Sequence, residues 1–449
     1  MKYISSYYNF QVTRNDGTLL LYNTRTGSLI FIDKIESAEK IKEMLNEPDK
    51  YLETDDFNVL RDNGFIILKD CDEIHEVAKG FSLVNNSKSS LSITILPTIY
   101  CNFNCPYCFV VEDGKFTSMK QRIYNAIYNL ILRYIKNYSD KITVTIGWFG
   151  GEPMLCVKDM ENFMNRLIEL EKEYNNITLH GKIVTNGFFL NYDNFLRLYE
   201  AGIKNFQVTL DGDKENHDKL RTLKDGNPTF DIIYKNLLSI KNDCKYEDFL
   251  ISLRGNFLRS NIKSMKQLAQ KMIVDFKGDE RFNLSFRPVV DFSIKKNKHG
   301  VAKDDYCNKQ ESVKIQEKLF SDMQGYGNKG NRMFNPLPYP INKWCNVNKQ
   351  NSFIFNPDGL VFACDSVLSD KREAIGVIQE DGTIAYNEKE SVWRSSIFQS
   401  DKYGKCQICK ILPVCLGGCT RQRLIVGKGV CTWTPEIITE SLMKYSEKI

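Results

Sequence analysis

No apolar run in this 449-residue chain reaches transmembrane length, and no charged-then-apolar stretch opens it as a secretion signal would. These absences argue against a membrane or exported protein and predict a cytoplasmic one. An excess of one charge sign is also missing. The 61 basic and 56 acidic residues leave a net charge of +5, too even a balance to argue for nucleic acid binding. There is no internal repeat and no long low-complexity tract. The chain therefore divides into ordinary domains, two to four at roughly 150 residues each.

Cysteine is not scarce. There are fourteen, and a reducing cytosol does not use them as disulfides. Closely spaced cysteines there predict metal or iron–sulfur ligation. Ten fall into spaced groups, whereas Cys71, Cys156, Cys244 and Cys307 stand apart and read as small buried apolar residues.

Residues 1–85 read as a small unit of their own. Two short apolar runs at 18–22 and 28–32 flank a turn ending in Gly27, which is a hairpin signal. Ile41, Met44 and Leu45 mark one helix, Phe57 and Leu60 another, and 65–68 returns as a strand. Strands with two or three short helices predict a winged-helix-like module. After a polar linker at 85–90, strand and helix signals alternate. Strands are expected at 91–97, 142–148, 179–185, 205–210, 250–256 and 282–287. Amphipathic helices lie between them, one carrying Ile123, Ile127, Leu130 and Ile131. Six βα units predict an α/β fold with a parallel sheet curled into a partial (β/α)6 TIM-like barrel over 91–290. Its chemistry would sit at the C-terminal strand ends. A connector follows at 291–343, with one helix near 311–323. A cysteine-rich segment poor in regular structure then covers 344–435, and a C-terminal helix 436–449.

The first barrel strand runs into Cys101, Cys105 and Cys108, spaced CX3CX2C. Iron–sulfur clusters usually take four cysteines, so three leave one iron open to a ligand. Zinc also accepts clustered thiolates. The second strand ends at Gly150, Gly151 and Glu152, the third at Thr185, Asn186 and Gly187, the fourth at Thr209 with Arg221 beyond it, and the fifth at Arg254 and Asn256. Polar residues at successive strand ends fit a cofactor site.

This loop, with its aromatic residue before the third cysteine, resembles the radical S-adenosylmethionine superfamily. The resemblance implies a [4Fe-4S] cluster whose open iron is chelated by S-adenosylmethionine, and one-electron cleavage to a 5′-deoxyadenosyl radical. It assigns cofactor contacts to Tyr107, Phe109, Gly150, Gly151, Glu152, Asn186, Thr209, Arg221 and Arg254. For the two arginines, structural salt bridging is an equal alternative.

Seven more cysteines crowd into 87 residues: Cys345, then Cys364 after Gly359, then Cys406, Cys409, Cys415 and Cys419 as CX2CX5CX3C, then Cys431. Thiolates so dense in a segment with few strand or helix signals argue for metal-stabilised folding. The pattern resembles the SPASM extension of the same superfamily. By that resemblance Cys345, Cys364 and Cys419 hold one auxiliary [4Fe-4S] cluster, and Cys406, Cys409, Cys415 and Cys431 a second, making three clusters in all. Relatives carry a further cysteine near Cys345 that this chain lacks. The first auxiliary cluster is then left open, to be completed by Cys307 or by a substrate thiolate. The module at 1–85 resembles the leader-recognition element of peptide maturases, where a leader adds as a strand to a sheet edge.

The resemblances together imply a maturase of a ribosomally made precursor peptide. It would close a thioether between a cysteine sulfur and a carbon, as in sactipeptides and ranthipeptides, with Asp365 as candidate base. A flavodoxin or ferredoxin would supply electrons, and neither nucleic acid nor membrane would be involved. The rival readings are an anaerobic sulfatase-maturating enzyme making formylglycine, another peptide cross-linking maturase, and a non-catalytic metal-stabilised scaffold.

Overall fold

The computed structural model describes residues 1–110, 115–291, 300–321, 323, 337–399, 404–431 and 433–446. Of the expected connector, 292–299, 322 and 324–336 lie outside the described residues, as do 447–449 of the C-terminal helix. The chain forms two compact units. One is Met1–Ser87, Asn335–Gln350 and Ser391–Ile449, and the other is Lys88–Phe334 and Asn351–Glu390.

The first unit opens with β1 (Tyr3–Ser5), β2 (Asn9–Thr13), β3 (Leu19–Asn23) and β4 (Leu29–Ile32), followed by α1 (Ile35–Asn46), α2 (Asp55–Asp62), β5 (Ile66–Leu68) and α3 (Glu73–Asn85). Strands β2, β3 and β4 make an antiparallel meander, and β1 pairs with β5. The β3–β4 turn closes because the Asn23 side chain accepts the amides of Arg25 and Thr26 at 2.9 and 3.0 Å, while Gly27 takes φ +77°.

Strand β3 is buried along its whole length. Leu19 and Leu21 pack with Ala38, Met44, Phe57 and Leu60, whereas Leu20 and Tyr22 pack with Ile411, Val414, Ile438 and Leu442. Residues 1–85 are therefore not the free-standing unit that the sequence suggests. One face of their sheet lacks its own cover and takes it from the C-terminal cysteine-rich segment.

The second unit holds β6 (Ser90–Ile95), α4 (Gln121–Lys136), β7 (Ile142–Trp148), α5 (Val157–Glu173), β8 (Ile177–Thr185), α6 (Tyr192–Glu200), β9 (Ile203–Thr209), α7 (Lys214–Leu220), α8 (Phe230–Asp243), β10 (Leu250–Phe257), α9 (Ile262–Phe276) and β11 (Phe282–Pro288). The six strands are parallel, in the order β11-β10-β9-β8-β7-β6. The expected α/β architecture with a parallel sheet is thus what forms.

Four further strands extend the sheet beyond β6. They are β12 (Ser352–Phe355), parallel to β6, then antiparallel β13 (Leu360–Phe362), β14 (Gly376–Ile378) and β15 (Ile384–Tyr386). The sequence reading expected little regular structure here. Strands of three or four residues are too short to show a period.

Side chains largely alternate along the parallel strands. One face carries Ile93, Val144, Ile146, Ile183, Phe206, Val208, Leu253 and Phe286, all buried. The other carries Ser92, Thr94, Thr145, Gln207, Ser252, Arg254, Asn256 and Ser285, all of which solvent can partly reach. A closed TIM barrel fills its interior with branched apolar side chains. Here one face of the sheet carries a polar row that solvent partly reaches. No helix among the described residues is long and apolar enough to cross a membrane.

Candidate active site

The loop between β6 and α4 carries Cys101, Cys105 and Cys108. The Cys108 amide bonds to the Cys105 carbonyl at 3.2 Å and closes a tight turn, while the Phe103 amide points to Cys101 Sγ at 3.3 Å. The loop is stitched to the segment after α7. Asn104 N donates to Thr222 O at 2.9 Å, Lys224 N donates to Asn102 O at 3.0 Å, and Phe103 bridges Leu223.

Burial is the main cause that pushes the Cys101 thiol far up and the Cys105 thiol up to about 11. The thiolates also repel one another, and Arg221 opposes the rise at Cys105. Alone, such thiols stay protonated. A cationic iron core would reverse that preference, because metal ligation takes the thiolate form.

The β7 end turns through Gly150, at φ +135°, and Gly151. A Cβ on Gly150 would lie 2.3 Å from Thr98 O, and one on Gly151 2.2 Å from Tyr100 O. Both glycines thus let the turn lie against the backbone of the cysteine loop, to which Gly151 N and Glu152 N also donate. The expected reason was close approach to a cofactor. The contact found is backbone on backbone.

Glu152 is 1% exposed. Its carboxylate accepts the Thr185 hydroxyl at 2.7 Å, the Met154 amide at 3.0 Å and the Asn186 amide at 2.7 Å. It braces the ends of β7 and β8 together. Glu152→Ala leaves these buried donors without an acceptor. The expected cost is roughly 2–5 kcal/mol, read as a lowered urea midpoint, with Glu152→Gln losing less. Asn186 reaches onward, its Nδ2 donating to Asn102 Oδ1 at 2.8 Å and lying 3.9 Å from Cys101 Sγ.

The structure separates the two arginines. Arg221 is 7% exposed, donates to the Tyr107 hydroxyl at 2.8 Å and pairs with Asp211 at 3.7 Å. The Tyr107 hydroxyl donates in turn to Asp211. Arg254 lies on the polar face of the sheet, its Nε 2.9 Å from Asn256 Oδ1, with Thr209 beside it in the strand register. Burial, then the neighbouring Arg287, lowers its pKa. Asp365, after β13, is reachable by solvent yet crowded by protein. That crowding raises its pKa, and Arg254 opposes the rise. Phe109 stacks on Phe149 with centroids 6.2 Å apart, and its carbonyl accepts the Ser369 hydroxyl at 2.8 Å.

Sequence reasoning passed over Asp211 and Arg287. Asp211 stands in an Asp-Gly pair that reads as a turn, and its neutralisation by a residue ten positions on depends on the path of α7. Arg287 follows the alternation of β11 and could have been found from it.

The chemistry of the donors suits a cluster. Asn102 Nδ2 and Arg221 Nε are buried and have no acceptor among the described residues. Sulfide or carboxylate oxygen would supply one. Among the described residues no three cysteine, histidine or acidic side chains converge as they would around a single metal ion. A cubane spreads its ligands over several iron corners and requires no such convergence.

In the first unit, Cys406 and Cys409 are raised by burial and then by the charges of Cys415 and Cys431, so these four thiols lie within one another's field. Leu416 at φ 45° and Gly417 and Gly418 at φ 76° and 74° turn the chain sharply between Cys415 and Cys419. A leucine held there costs about 1 kcal/mol or more, which the fixed spacing of the two cysteines explains. Cys345 and Cys419 belong to this unit, and Cys364 to the other. Cys307 lies beside Glu311 and Arg259.

Residues 95–257 match the family model of the Radical SAM superfamily. Over 360 residues the chain is 26% identical to the cysteine-type anaerobic sulfatase-maturating enzyme of Clostridium novyi, covering 74% of this chain and 89% of that one. A stretch of 134 residues is 28% identical to the serine-type anaerobic sulfatase-maturating enzyme of Bacteroides thetaiotaomicron, covering 29% of this chain and 31% of that one. Among solved structures, native anSMEcpe with bound AdoMet and Cp18Cys peptide shares the fold at TM-score 0.56 and 20% identity, covering 80% of this chain and 96% of that one. Streptococcus suis SuiB bound to precursor peptide SuiA does so at TM-score 0.53 and 15% identity, covering 93% and 95%.

Proposed function

From a chain that carries a radical SAM domain and is an enzyme, we propose a SPASM-type peptide maturase that closes an intrapeptide thioether. One observation carries the reading. The strand–helix module at 1–85 packs as one unit with Asn335–Gln350 and Ser391–Ile449, which carry six of the seven C-terminal cysteines, and this supports a leader-binding element joined to an auxiliary-cluster segment. The similarity to SuiB, which reaches over 93% of the chain against 80% for anSMEcpe, supports it.

When bound, the clusters and S-adenosylmethionine would supply a 5′-deoxyadenosyl radical to take one hydrogen atom from a peptide carbon, and a sink for the electron left when sulfur bonds to that carbon. The chain's own residues do the rest. Cys101, Cys105 and Cys108 hold the first cluster. Cys406, Cys409, Cys415 and Cys431 hold one auxiliary cluster, and Cys345, Cys364 and Cys419 the other. Arg254 and Thr209, side by side on β10 and β9, would contact the cofactor. Asp365, with its raised carboxyl, takes the proton of the substrate thiol. A small electron-transfer protein is the proposed reductant and the cytoplasm the proposed location.

The test uses anaerobically reconstituted enzyme, S-adenosylmethionine, reductant and, where the neighbouring gene encodes one, a short precursor peptide with a leader and several cysteines. A product that has lost two hydrogens and its free thiol but kept its sulfur supports the reading. Release of sulfide with formation of an aldehyde supports formylglycine generation instead, the reading favoured by the identity to the Clostridium novyi enzyme. Asp365→Asn is expected to lower peptide product by about 10²-fold or more while 5′-deoxyadenosine still forms, as loss of a general base does.

A further inference from the structure

Two buried charges stand beside the cysteine loop, and the chemistry above does not use them. Arg221 is 7% exposed and Asp211 is fully buried. The Tyr107 hydroxyl lies between them, accepting from Arg221 Nη1 at 2.8 Å and donating to Asp211 Oδ2. The other Asp211 oxygen accepts the Asn256 amide at 2.9 Å. Packing alone does not call for this arrangement. A buried ion pair is often no more stable than apolar residues of the same volume.

A second chain of bonds fixes the spacing of the two charges. Asp211 N donates to His217 Nδ1 at 3.2 Å, His217 Nε2 lies 3.1 Å from Thr229 Oγ1, and that hydroxyl donates to the Arg221 carbonyl at 2.6 Å. With Nδ1 accepting, Nε2 carries the proton. Burial, then the charge of Arg221, holds the ring neutral. The imidazole therefore adds no charge of its own.

The backbone sets this group against the loop. Thr222 and Lys224 hydrogen-bond to Asn104 and Asn102, and the Arg221 guanidinium lies 5.4 Å from the Phe103 ring. Tyr107 sits between Cys105 and Cys108 in sequence. Arg221 Nε still has no acceptor among the described residues.

We infer that Arg221 and Asp211 form an opposed charge pair that sets the reduction potential of the cluster held by Cys101, Cys105 and Cys108, with Arg221 raising it and Asp211 lowering it. The inference rests on the proposed assignment of these cysteines. Reduction adds one negative charge to the cluster, so a nearby cation favours it and a nearby anion opposes it. In a buried setting neither field is screened as it would be in water. Net charge and hydrogen bonding to sulfur are general determinants of cluster potential. Both residues act through their electric field alone, so they are positioning residues.

The experiment is a dithionite-poised redox titration of the reconstituted full-length enzyme, followed by electron paramagnetic resonance. The signal that changes on adding S-adenosylmethionine identifies the open-iron cluster. Arg221→Gln is expected to shift its midpoint to more negative values, Asp211→Asn to less negative values, and Arg221→Lys to leave it near wild type. Shifts of the same sign, or no shift with iron content intact, overturn the inference. Should Arg221→Gln or Asp211→Asn lose iron, Tyr107→Phe decides. It removes the bridge and keeps both charges, so a midpoint near wild type supports the inference and a large shift overturns it. Failure of the underlying assignment looks different, because the wild-type enzyme would then show no signal that responds to S-adenosylmethionine.

Discussion

Replacing Cys101, Cys105 and Cys108 together by alanine is expected to abolish cleavage of S-adenosylmethionine and to remove about four iron atoms per chain. The readouts are 5′-deoxyadenosine by chromatography and iron with acid-labile sulfide by colorimetry. The effect should be complete rather than graded. The three thiols belong to one loop, and the triple variant leaves the cluster none of its protein ligands. Folding should survive, because the loop is also held by Asn104–Thr222, Asn102–Lys224 and the Gly151–Thr98 contact, none of which needs a thiol. A triple variant that still yields 5′-deoxyadenosine at wild-type rate would remove these residues from the chemistry.

Cys364→Ala is expected to uncouple the enzyme. Peptide product should fall by at least about tenfold while 5′-deoxyadenosine continues to form. Loss of an outer partner of a metal ligand alone costs roughly 10–100-fold, and a direct ligand should cost no less. The split arises from position. Cys364 follows β13 in the sheet extension, its Sγ 3.0 Å from the Ser366 hydroxyl and 3.9 Å from Asp365 Oδ1. The loop that holds Cys101, Cys105 and Cys108 lies after β6 and depends on none of these contacts. Measuring both products from one reaction separates the outcomes. An unchanged ratio would take Cys364 out of the peptide step, and loss of both would show that the extension supports the barrel itself.

The division of labour between sequence and fold can be followed through particular residues. The six parallel strands were legible because their alternation, polar row against apolar row, runs along strands of six to nine residues each. The cysteine spacings were legible because ligands held in one loop are a local property. The exposed row, Thr94, Gln207, Ser252 and Arg254, is written in that same alternation. Its meaning, a polar sheet face that solvent partly reaches instead of a packed barrel core, appears only once the strands are set side by side.

Other features had no local signature. Strand β3 reads as an apolar run, and no window around it names the partner of its second face. Ile411 and Ile438 supply that partner from some 390 to 420 positions away. Arg221 and Arg254 look alike in sequence, each a basic residue near a strand end. Whether either is neutralised depends on where α7 carries its C-terminus. Burial beside Asp211 and Tyr107 makes Arg221 internal, and the pleat of β10 keeps Arg254 on the polar face of the sheet.

The sequence by itself determined the kinds of chemistry available: thiolates in ligand spacing, glycines at a turn, and a parallel βα alternation. Those follow from short-range geometry, which a chain carries wherever it goes. Only the tertiary structure decided which charges cancel, which apolar faces meet and which polar row stays wet. Those outcomes are pairings between distant segments, and their energies exist only after the segments are brought within contact distance.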